Sequence, residues 1–323
     1  METSIHAIAC NKLLILFATI AITGIICSKG SELINIPDVV LFLIVGIFLG
    51  PSVLQIIDIS QFQLENQLIL TFGSAFILYM GGKEVSLKVL KNVKISVFLL
   101  STLGVVITSF LMAKLIGLNF QISFMTCLLA GSIIASTDPA TIVPIFNQVK
   151  IDKKVKQTVI SESALNDATG AIMTVAVLSI IMGGKFSIQQ NIYSLCIMII
   201  VGIMVGLITG LVLLFLVNDS PKGIFKDYTP IISILSVIIA YELSTYLGGS
   251  GYMSCFIVGL VTGNKQNFKL WLSQKHYDAD CHVAETVGTI CRMCIFIILG
   301  SQVDLQVVGK YFVPSIISVL CFM

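Results

Sequence analysis

The chain has 323 residues, of which 56% are hydrophobic and only 11% are charged, and its mean hydropathy is +1.01. A soluble protein carries about 25% charged residues, so this composition excludes a water-soluble globular fold and predicts an all-α, multi-pass protein of the lipid bilayer. The formal net charge of +2 gives no basis for a nucleic-acid partner.

Apolar segments follow one another along the whole chain. A helix needs about 20 mostly apolar residues to cross a bilayer, and eleven candidate spans are predicted. They are residues 12–27, 37–54, 66–82, 94–116, 121–147, 157–182, 190–217, 228–247, 251–263, 284–302 and 311 onward. The connections are short, so residues 1–323 are predicted to form one transmembrane domain.

Lysines gather in alternate connections, after the third, fifth, seventh and ninth predicted spans. They include Lys83, Lys88, Lys91, Lys94, Lys150, Lys153, Lys154, Lys156, Lys222, Lys226, Lys265, Lys269 and Lys275. Because cytoplasmic loops are enriched in lysine, this alternation predicts that the N-terminus lies outside and that the lysine-rich connections are cytoplasmic. The final apolar run reaches Met323 after about 13 residues, fewer than a span requires. We therefore expect the chain to be incomplete at its C-terminus.

The sequence lacks the signatures of a cofactor site and of an enzyme. Cys291 and Cys294 form one CxxC pair inside an apolar segment, without a second pair or a histidine at ligand spacing for zinc. Nucleophile elbows, zinc-protease motifs and nucleotide-binding glycine loops are absent. We expect a protein that is not an enzyme and has no cofactor.

The fifth predicted span contains Asp138, directly before Pro139 and six residues before Pro144. Each proline removes a backbone donor and clashes with the preceding turn, which predicts a discontinuous helix at the midplane of the membrane. Unwound backbone is tolerated there only where protein or a water-filled cavity satisfies it. A carboxylate, hydroxyls and freed carbonyls suit a dehydrated monovalent cation. The alternative is a proline kink in which Asp138 caps the second half of the helix.

The sixth predicted span carries Glu162, Ser163, Asn166 and Asp167 within six residues. Ser163 and Asp167 share one helix face, and Glu162 and Asn166 share a second face turned by one residue. A charged side chain at the membrane centre costs about 2.5–3.5 kcal/mol, so such residues mark functional sites. The spacing predicts that one polar stripe faces a cation while the other braces a neighbouring helix.

Two further charged residues are candidates for the same site. Arg292 is the only arginine, and within its apolar segment it needs an anionic partner, for which Glu162 is the best motivated. The alternative is that Arg292 reaches the cytoplasmic interface. Glu84 closes the third predicted span at its cytoplasmic end. It either guards an entry path or binds the cation, or it is a solvated acid at a helix end.

Two motifs resemble those of the monovalent cation:proton antiporter family, specifically its NhaP-like sodium/proton exchangers. They are Ser136-Thr-Asp-Pro139 and Ser161-Glu-Ser-Ala-Leu-Asn-Asp167, and the step from Asp138 to Asp167 is 29 residues. The segments Gly248–Ser254 and Arg292–Gly300, together with the Glu84 segment, extend the resemblance over nearly the whole chain.

The resemblance implies a role for each candidate residue. Asp167 would bind a cation and a proton in turn. The residues implied for this transient metal and proton site are Asp167, Asp138, Ser163, Thr137 through its backbone, and Glu84. The residues implied for a structural cluster beside the site are Glu162, Asn166 and Arg292. The family's Asn-Asp pair implies electroneutral, one-for-one exchange.

The resemblance also implies an inverted-repeat fold. It has about thirteen helices, with two broken helices crossing at the midplane, and it forms a homodimer. This sequence departs from the pattern because it ends before the second broken helix, so the second repeat is expected to be truncated.

The predicted function is secondary active exchange of a monovalent cation for H+ at Asp167, in the cell membrane. Na+ is the favoured cation, with Li+ and K+ as alternatives. Two other functions remain open at this point. One is a cation channel or sensor on the same scaffold, and the other is an inactive truncated fragment.

Overall fold

The computed structural model describes residues 2–34, 36–59, 62–120, 122–137, 146, 151–183, 188–218, 224–268 and 273–322. Over these residues the secondary structure is helical, without a strand. The α-helices are α1 Glu2–Ile34, α2 Asp38–Leu49, α3 Gln63–Glu84, α4 Leu87–Leu99, α5 Val105–Phe120, α6 Phe124–Ile134 and α7 Lys153–Ile181. They continue with α8 Ile188–Val217, α9 Thr229–Tyr246, α10 Gly251–Gly263, α11 Gln274–Ser301, α12 Leu305–Lys310 and α13 Phe312–Phe322.

Each of the eleven predicted spans overlaps at least one of these helices, so the predicted all-α membrane architecture is confirmed. Five stretches of the described chain are long and apolar enough to cross a bilayer: Asn11–Ile34, Leu87–Phe120, Tyr193–Val217, Lys226–Tyr246 and Gln274–Ser301. Large apolar side chains remain open to the surroundings, as lipid-facing helices require; Ile26 of α1 is 65% exposed.

Three helices begin seven or more residues before their apolar runs. α1 begins at Glu2, ahead of the predicted start at residue 12. α11 begins at Gln274, ahead of the predicted start at residue 284, so the expected connection that holds His276 and His282 is helical. α4 begins at Leu87, ahead of the predicted start at residue 94. A hydropathy pattern detects only the part of a helix that lipid or protein must cover, and it misses turns that extend beyond it.

The described helices belong to two compact units. The first comprises Met1–Ser74 and Glu285–Lys310, and the second comprises Ala75–Ala284 and Tyr311–Met323. α3 and α11 each contribute residues to both units.

Within the first unit, α2 and α11 pack at backbone contact. A Cβ atom on Gly46 would lie 2.3 Å from the carbonyl oxygen of Ile297, and one on Gly300 would lie 2.3 Å from that of Leu43. Only glycine allows two helix axes to approach so closely, which is how helices commonly pack in membranes.

Within the second unit, α10 is the central helix, and eleven of its residues are buried. It meets α3 through Gly82 and Gly259, where added Cβ atoms would lie 2.2 Å from Phe256 O and 2.0 Å from Tyr79 O. It meets α8 at Gly206 of that helix, where an added Cβ atom would lie 2.5 Å from Ser254 O. α10 is therefore held between α3 and α8.

A second group of helices in this unit positions α6 against α7. α4 and α5 form one continuous helix through a π-helical turn, Leu100–Gly104. α6 packs on α5 at Gly131, where a Cβ would lie 2.4 Å from Ser109 O. A buried apolar cluster of α5, α6 and α7 fills the space between them; its members are Ala113, Ile116, Cys127, Leu128 and Val177.

Candidate functional site

The C-terminal end of α6 meets the middle of α7, and polar side chains from both helices gather there. α6 ends at Ile134, and the chain from Ala135 to Thr137 is not helical. Gly170 of α7 makes room for this end, because a Cβ atom on it would lie 3.1 Å from Ser136 Cβ. A larger residue at position 170 would push the end of α6 away from α7.

A continuous hydrogen-bond network joins the two elements. The Asn166 side-chain amide donates to Thr137 Oγ1 at 2.7 Å and to Glu162 Oε1 at 2.9 Å. The Ser136 hydroxyl donates to Asn166 Oδ1 at 3.2 Å. The Thr137 hydroxyl donates to Ser163 Oγ at 3.0 Å, and the Ser163 hydroxyl donates to the backbone carbonyl of Thr137 at 2.5 Å. We call these five residues the crossing network.

Asn166 occupies the centre of the crossing network. Both N–H donors and the carbonyl oxygen of its amide are used, and the residue is fully buried. The sequence predicts two separate polar stripes on α7, one with Ser163 and one with Glu162 and Asn166. In the structure Asn166 links the two stripes, since it bonds Glu162 on its own helix and Thr137, the partner of Ser163.

The crossing network presents the kind of oxygen that binds a hard monovalent cation. Ser163 Oγ, Thr137 Oγ1 and the Thr137 carbonyl all lie at one point of the crossing. Hydroxyl and carbonyl oxygens are ligands for hard ions, and their present bonds to one another keep each of them satisfied. About two helical turns after Asn166 along α7, Ser132 Oγ and Thr174 Oγ1 form another such contact at 3.0 Å.

Three of the predicted site residues lie wholly or partly outside the described residues. Asp138 and Pro139 follow Thr137 directly and lie outside the described residues, as does Pro144. The backbone of Asp167 belongs to α7, one residue after Asn166, but its side chain is outside the described part. The ligand roles of both carboxylates, and the broken helix at Pro139, remain predictions.

Glu84 ends α3 and forms an ion pair with α7 rather than standing in solvent alone. Its Oε2 lies 3.1 Å from Lys156 Nζ, and the two side chains are 35% and 27% exposed. Lys156 precedes Asp167 by eleven residues, which corresponds to about 16 Å along a helix axis.

Arg292 lies in the part of α11 that belongs to the first unit. Its Nη2 donates to Thr289 Oγ1 at 3.1 Å. Among the described residues its buried Nε has no hydrogen-bond partner. The pairing of Arg292 with Glu162 remains a prediction.

Three contributors to this region were not singled out from the sequence. In the sequence, Ser136 is part of a motif, Gly170 lies within a predicted span, and Lys156 belongs to the lysine pattern that predicts orientation. A glycine inside a polar membrane helix is the one local signal that indicates a close approach; the other two depend on which helices meet.

Comparisons with known proteins agree with this fold. The family model for the sodium/hydrogen exchanger, transmembrane, matches residues 15–323. The chain is 28% identical to a probable Na(+)/H(+) antiporter 2 of Methanocaldococcus jannaschii, over 92% of this chain and 71% of that protein. It is 27% identical to the K(+)/H(+) antiporter NhaP2 of Shewanella oneidensis, over 90% of this chain and 49% of that protein.

The solved structure of the sodium proton antiporter MjNhaP1 from Methanocaldococcus jannaschii at pH 8 superimposes with a TM-score of 0.76 at 25% identity, over 96% of this chain and 78% of that one. This similarity confirms the predicted antiporter fold. The family match covers almost the whole chain, and its helices are those of an integral multi-pass membrane protein. The chain therefore belongs to the transmembrane sodium/hydrogen exchanger family.

Proposed function

We propose that this chain exchanges a monovalent cation for protons across the membrane, and that Asp167 binds the cation and the proton in turn. The observation that carries the proposal is the crossing network. In it Ser163, one helical turn before Asp167 on α7, is bonded to Thr137, and both residues offer neutral oxygen ligands. Asp138, the residue after Thr137, completes the proposed ligand set.

The crossing network supports this chemistry because Thr137 and Ser163 are neutral and already bonded. Ser163 Oγ and the Thr137 carbonyl give up one hydrogen bond to each other when they turn to a cation. A typical intramolecular hydrogen bond has a net value of about 0.5–1.5 kcal/mol. The rearrangement is therefore small beside the free energy of binding an ion to a carboxylate in a low-dielectric site.

Coupling between cation and proton follows from the cost of an empty carboxylate. An isolated ionised carboxylate in an apolar medium is strongly unfavourable, so the group must be neutralised by a proton or by a cation before it crosses. Asp167 loses its proton to one side of the membrane and binds a cation there. The occupied site then becomes open to the other side. On the other side a proton displaces the ion.

The proposed exchange is electroneutral. One positive charge moves in each direction if Asp167 is the only group that changes its ligand. Asn166, its neighbour, carries no charge and is fully engaged in hydrogen bonds. Glu162 accepts one of those hydrogen bonds and is assigned a structural role, with Arg292 as its proposed counter-charge.

We propose Na+ as the first cation to test, with Li+ and K+ beside it. The relatives named above are a Na(+)/H(+) antiporter and a K(+)/H(+) antiporter, and all three ions accept oxygen ligands. The cell membrane is the proposed location and a homodimer the proposed assembly.

The proposed function is tested with purified protein in vesicles that contain a pH-sensitive dye. Addition of Na+, Li+ or K+ to vesicles with an acidic interior should raise the internal pH in proportion to the protein present. Asp167→Asn should abolish this response, because a neutral amide neither takes up a proton nor binds the cation strongly.

The matched control is Glu242→Gln, which removes a carboxylate from the exposed surface of α9 and should leave exchange intact. A cation-dependent pH change that persists in Asp167→Asn would rule out the assignment. A current carried by the cation alone, without proton movement, would favour a channel on the same scaffold.

A further inference from the structure

A lysine at the beginning of α7 contacts the acid that ends α3. Lys156 Nζ lies 3.1 Å from Glu84 Oε2. α3 reaches α7 at Gly81, where a Cβ atom would lie 3.6 Å from Ile160 Cγ2. Ile160 is 1% exposed, so an apolar contact one turn from Lys156 fixes the approach of the two helix ends.

The other lysine beside Glu84 is already neutralised. Lys83 Nζ lies 2.7 Å from Asp280 Oδ2, and these side chains are only 8% and 5% exposed. If Lys83 turned to Glu84, it would leave Asp280 buried and unpaired, which is strongly unfavourable. The counter-charge of Glu84 is therefore Lys156.

Each of the two charged side chains lies at a helix end whose partial charge has the same sign. Lys156 lies in the first turn of α7, where the partial charge of the helix is positive, and Glu84 is the last residue of α3, where it is negative. The carboxylate of Glu84 and the last carbonyls of α3 together attract a cation. The ammonium group of Lys156 is the cation that occupies this place in the structure.

The pair lies at the N-terminal end of the helix that carries Ser163 and Asn166 of the crossing network. Lys156 and Asp167 are on the same helix, about 16 Å apart along its axis. Lys156 is at the end of α7 that the lysine pattern predicts to be cytoplasmic. Both side chains of the pair are partly exposed, so the carboxylate of Glu84 is open to an ion that approaches this end of α7.

Building on the proposed exchange, we propose that Lys156 is a tethered competitor for the incoming cation at Glu84. The ammonium group occupies the carboxylate when no cation is bound. A monovalent cation that arrives takes its place, and the long, flexible lysine side chain turns into water. Lys156 thereby weakens the apparent affinity for the transported cation at this entrance.

The test is the KM for Na+ in membrane vesicles whose cytoplasmic face is outward, with dye-detected proton movement as the readout. Lys156→Gln should lower KM about twofold to fivefold, which is the range expected from removing a partly exposed ion pair. Lys154→Gln is the matched control, because it removes an equal charge from the same turn with an exposed side chain. It should leave KM at the wild-type value.

Two more variants separate competition from a purely structural role. Glu84→Gln should raise KM, and Glu84→Gln combined with Lys156→Gln should have the KM of Glu84→Gln alone, since the carboxylate for which Lys156 competes with the cation is then gone. If Lys156→Gln does not accumulate, Lys156→Arg serves instead. It should raise KM, because a guanidinium pairs with a carboxylate through two hydrogen bonds.

The competitor role is overturned if Lys156→Gln has the KM of Lys154→Gln, if it raises KM, or if its effect persists in the double variant. It is also overturned if Lys156→Arg has the wild-type KM or a lower one. A wild-type protein that moves no protons in response to any cation gives a different result from all of these. That outcome refutes the proposed function itself.

Discussion

Two polar regions of the second unit meet the cost of burial in different ways. At the α6–α7 crossing, Ser163 and Asn166 are fully buried but neutral, and they are held by hydrogen bonds. At the end of α3, Lys83 and Asp280 are buried as a charged pair. The first region satisfies its groups with bonds of modest net value. The second depends on one interaction that cannot be lost without leaving a charge unpaired.

The surroundings of the buried ion pair reinforce this difference. Lys83 Nζ lies 5.4 Å from the ring centroids of both Tyr79 and Tyr277, within the range of cation–π attraction. The same part of α3 packs on α10 at backbone contact through Gly259. We infer that this region stays fixed, whereas the crossing network can exchange one of its bonds for a ligand.

The largest expected effect comes from breaking the buried ion pair. Asp280→Ala should lower the free energy of unfolding by about 3–5 kcal/mol, because Lys83 is left charged and buried. Thermal unfolding of the purified protein in detergent measures the loss. The double variant Lys83→Met with Asp280→Leu should recover most of it, since replacing both charges with apolar groups is often neutral. If Asp280→Ala unfolds like the wild type, the pair is not the fixed point of this region.

The next largest effect is expected at the close contact of α3 with α10. Gly259→Ala should destabilise the protein by about 3 kcal/mol, the upper part of the usual range for overpacking, because the new Cβ would lie 2.0 Å from a backbone oxygen of Tyr79 that cannot move aside. Gly117→Ala is the control, since its Cβ would make an ordinary contact of 3.5 Å with Cys127 Sγ. Equal melting temperatures for the two variants would contradict a close packing of α3 on α10.

Changes in the crossing network should reduce transport more than they reduce stability, unlike changes at the ion pair and at the contact of α3 with α10. Asn166→Ala removes three hydrogen bonds and should cost about 2 kcal/mol of stability, because its partners are only partly buried and water can replace some of the lost bonds. Exchange activity should fall much further, since the end of α6 loses its position against α7. Vesicle exchange and thermal unfolding measured on the same preparation decide this; loss of stability with full exchange would contradict it.

The hydropathy pattern was enough to predict the order of the long helices, since each predicted span overlaps at least one helix. It placed α4 and α5 in a single span and predicted no span at the short helix α12. The same pattern could not find the first turns of α11, from Gln274, because these turns are polar and lie outside the apolar run. Helix ends depend on local capping and on tertiary contacts, which an average over apolar residues does not report.

The candidate site was only partly predictable. The spacing of Glu162, Ser163 and Asn166 on one helix was sufficient to predict two polar stripes, and the hydrogen bonds of the crossing network lie on them. The bond from Asn166 to Thr137 and the pairing of Glu84 with Lys156 required knowledge of which helices meet. The sequence offers several lysines that could pair with the carboxylate of Glu84. Only the contact between α3 and α7 shows that Lys156 is its partner.

The smallest expected effect is at an ion pair that resembles Lys83–Asp280 in chemistry but not in burial. Lys29 and Glu32 form a pair at the end of α1 whose side chains are 72% and 66% exposed. Glu32→Gln should change the free energy of unfolding by less than about 1 kcal/mol, because solvent screens an exposed pair. A loss comparable with that of Asp280→Ala would show that burial is not what separates the two pairs.

The most direct test is calorimetric titration of the purified protein with Na+, Li+ or K+ in two buffers of different ionisation enthalpy. The difference in heat between the buffers gives the number of protons released when a cation binds. Competition at Asp167 predicts release of up to about one proton per bound cation at pH values where the free site is protonated, and none from Asp167→Asn. Cation binding by the wild type without proton release at any pH would contradict competition, as would proton release that persists in Asp167→Asn.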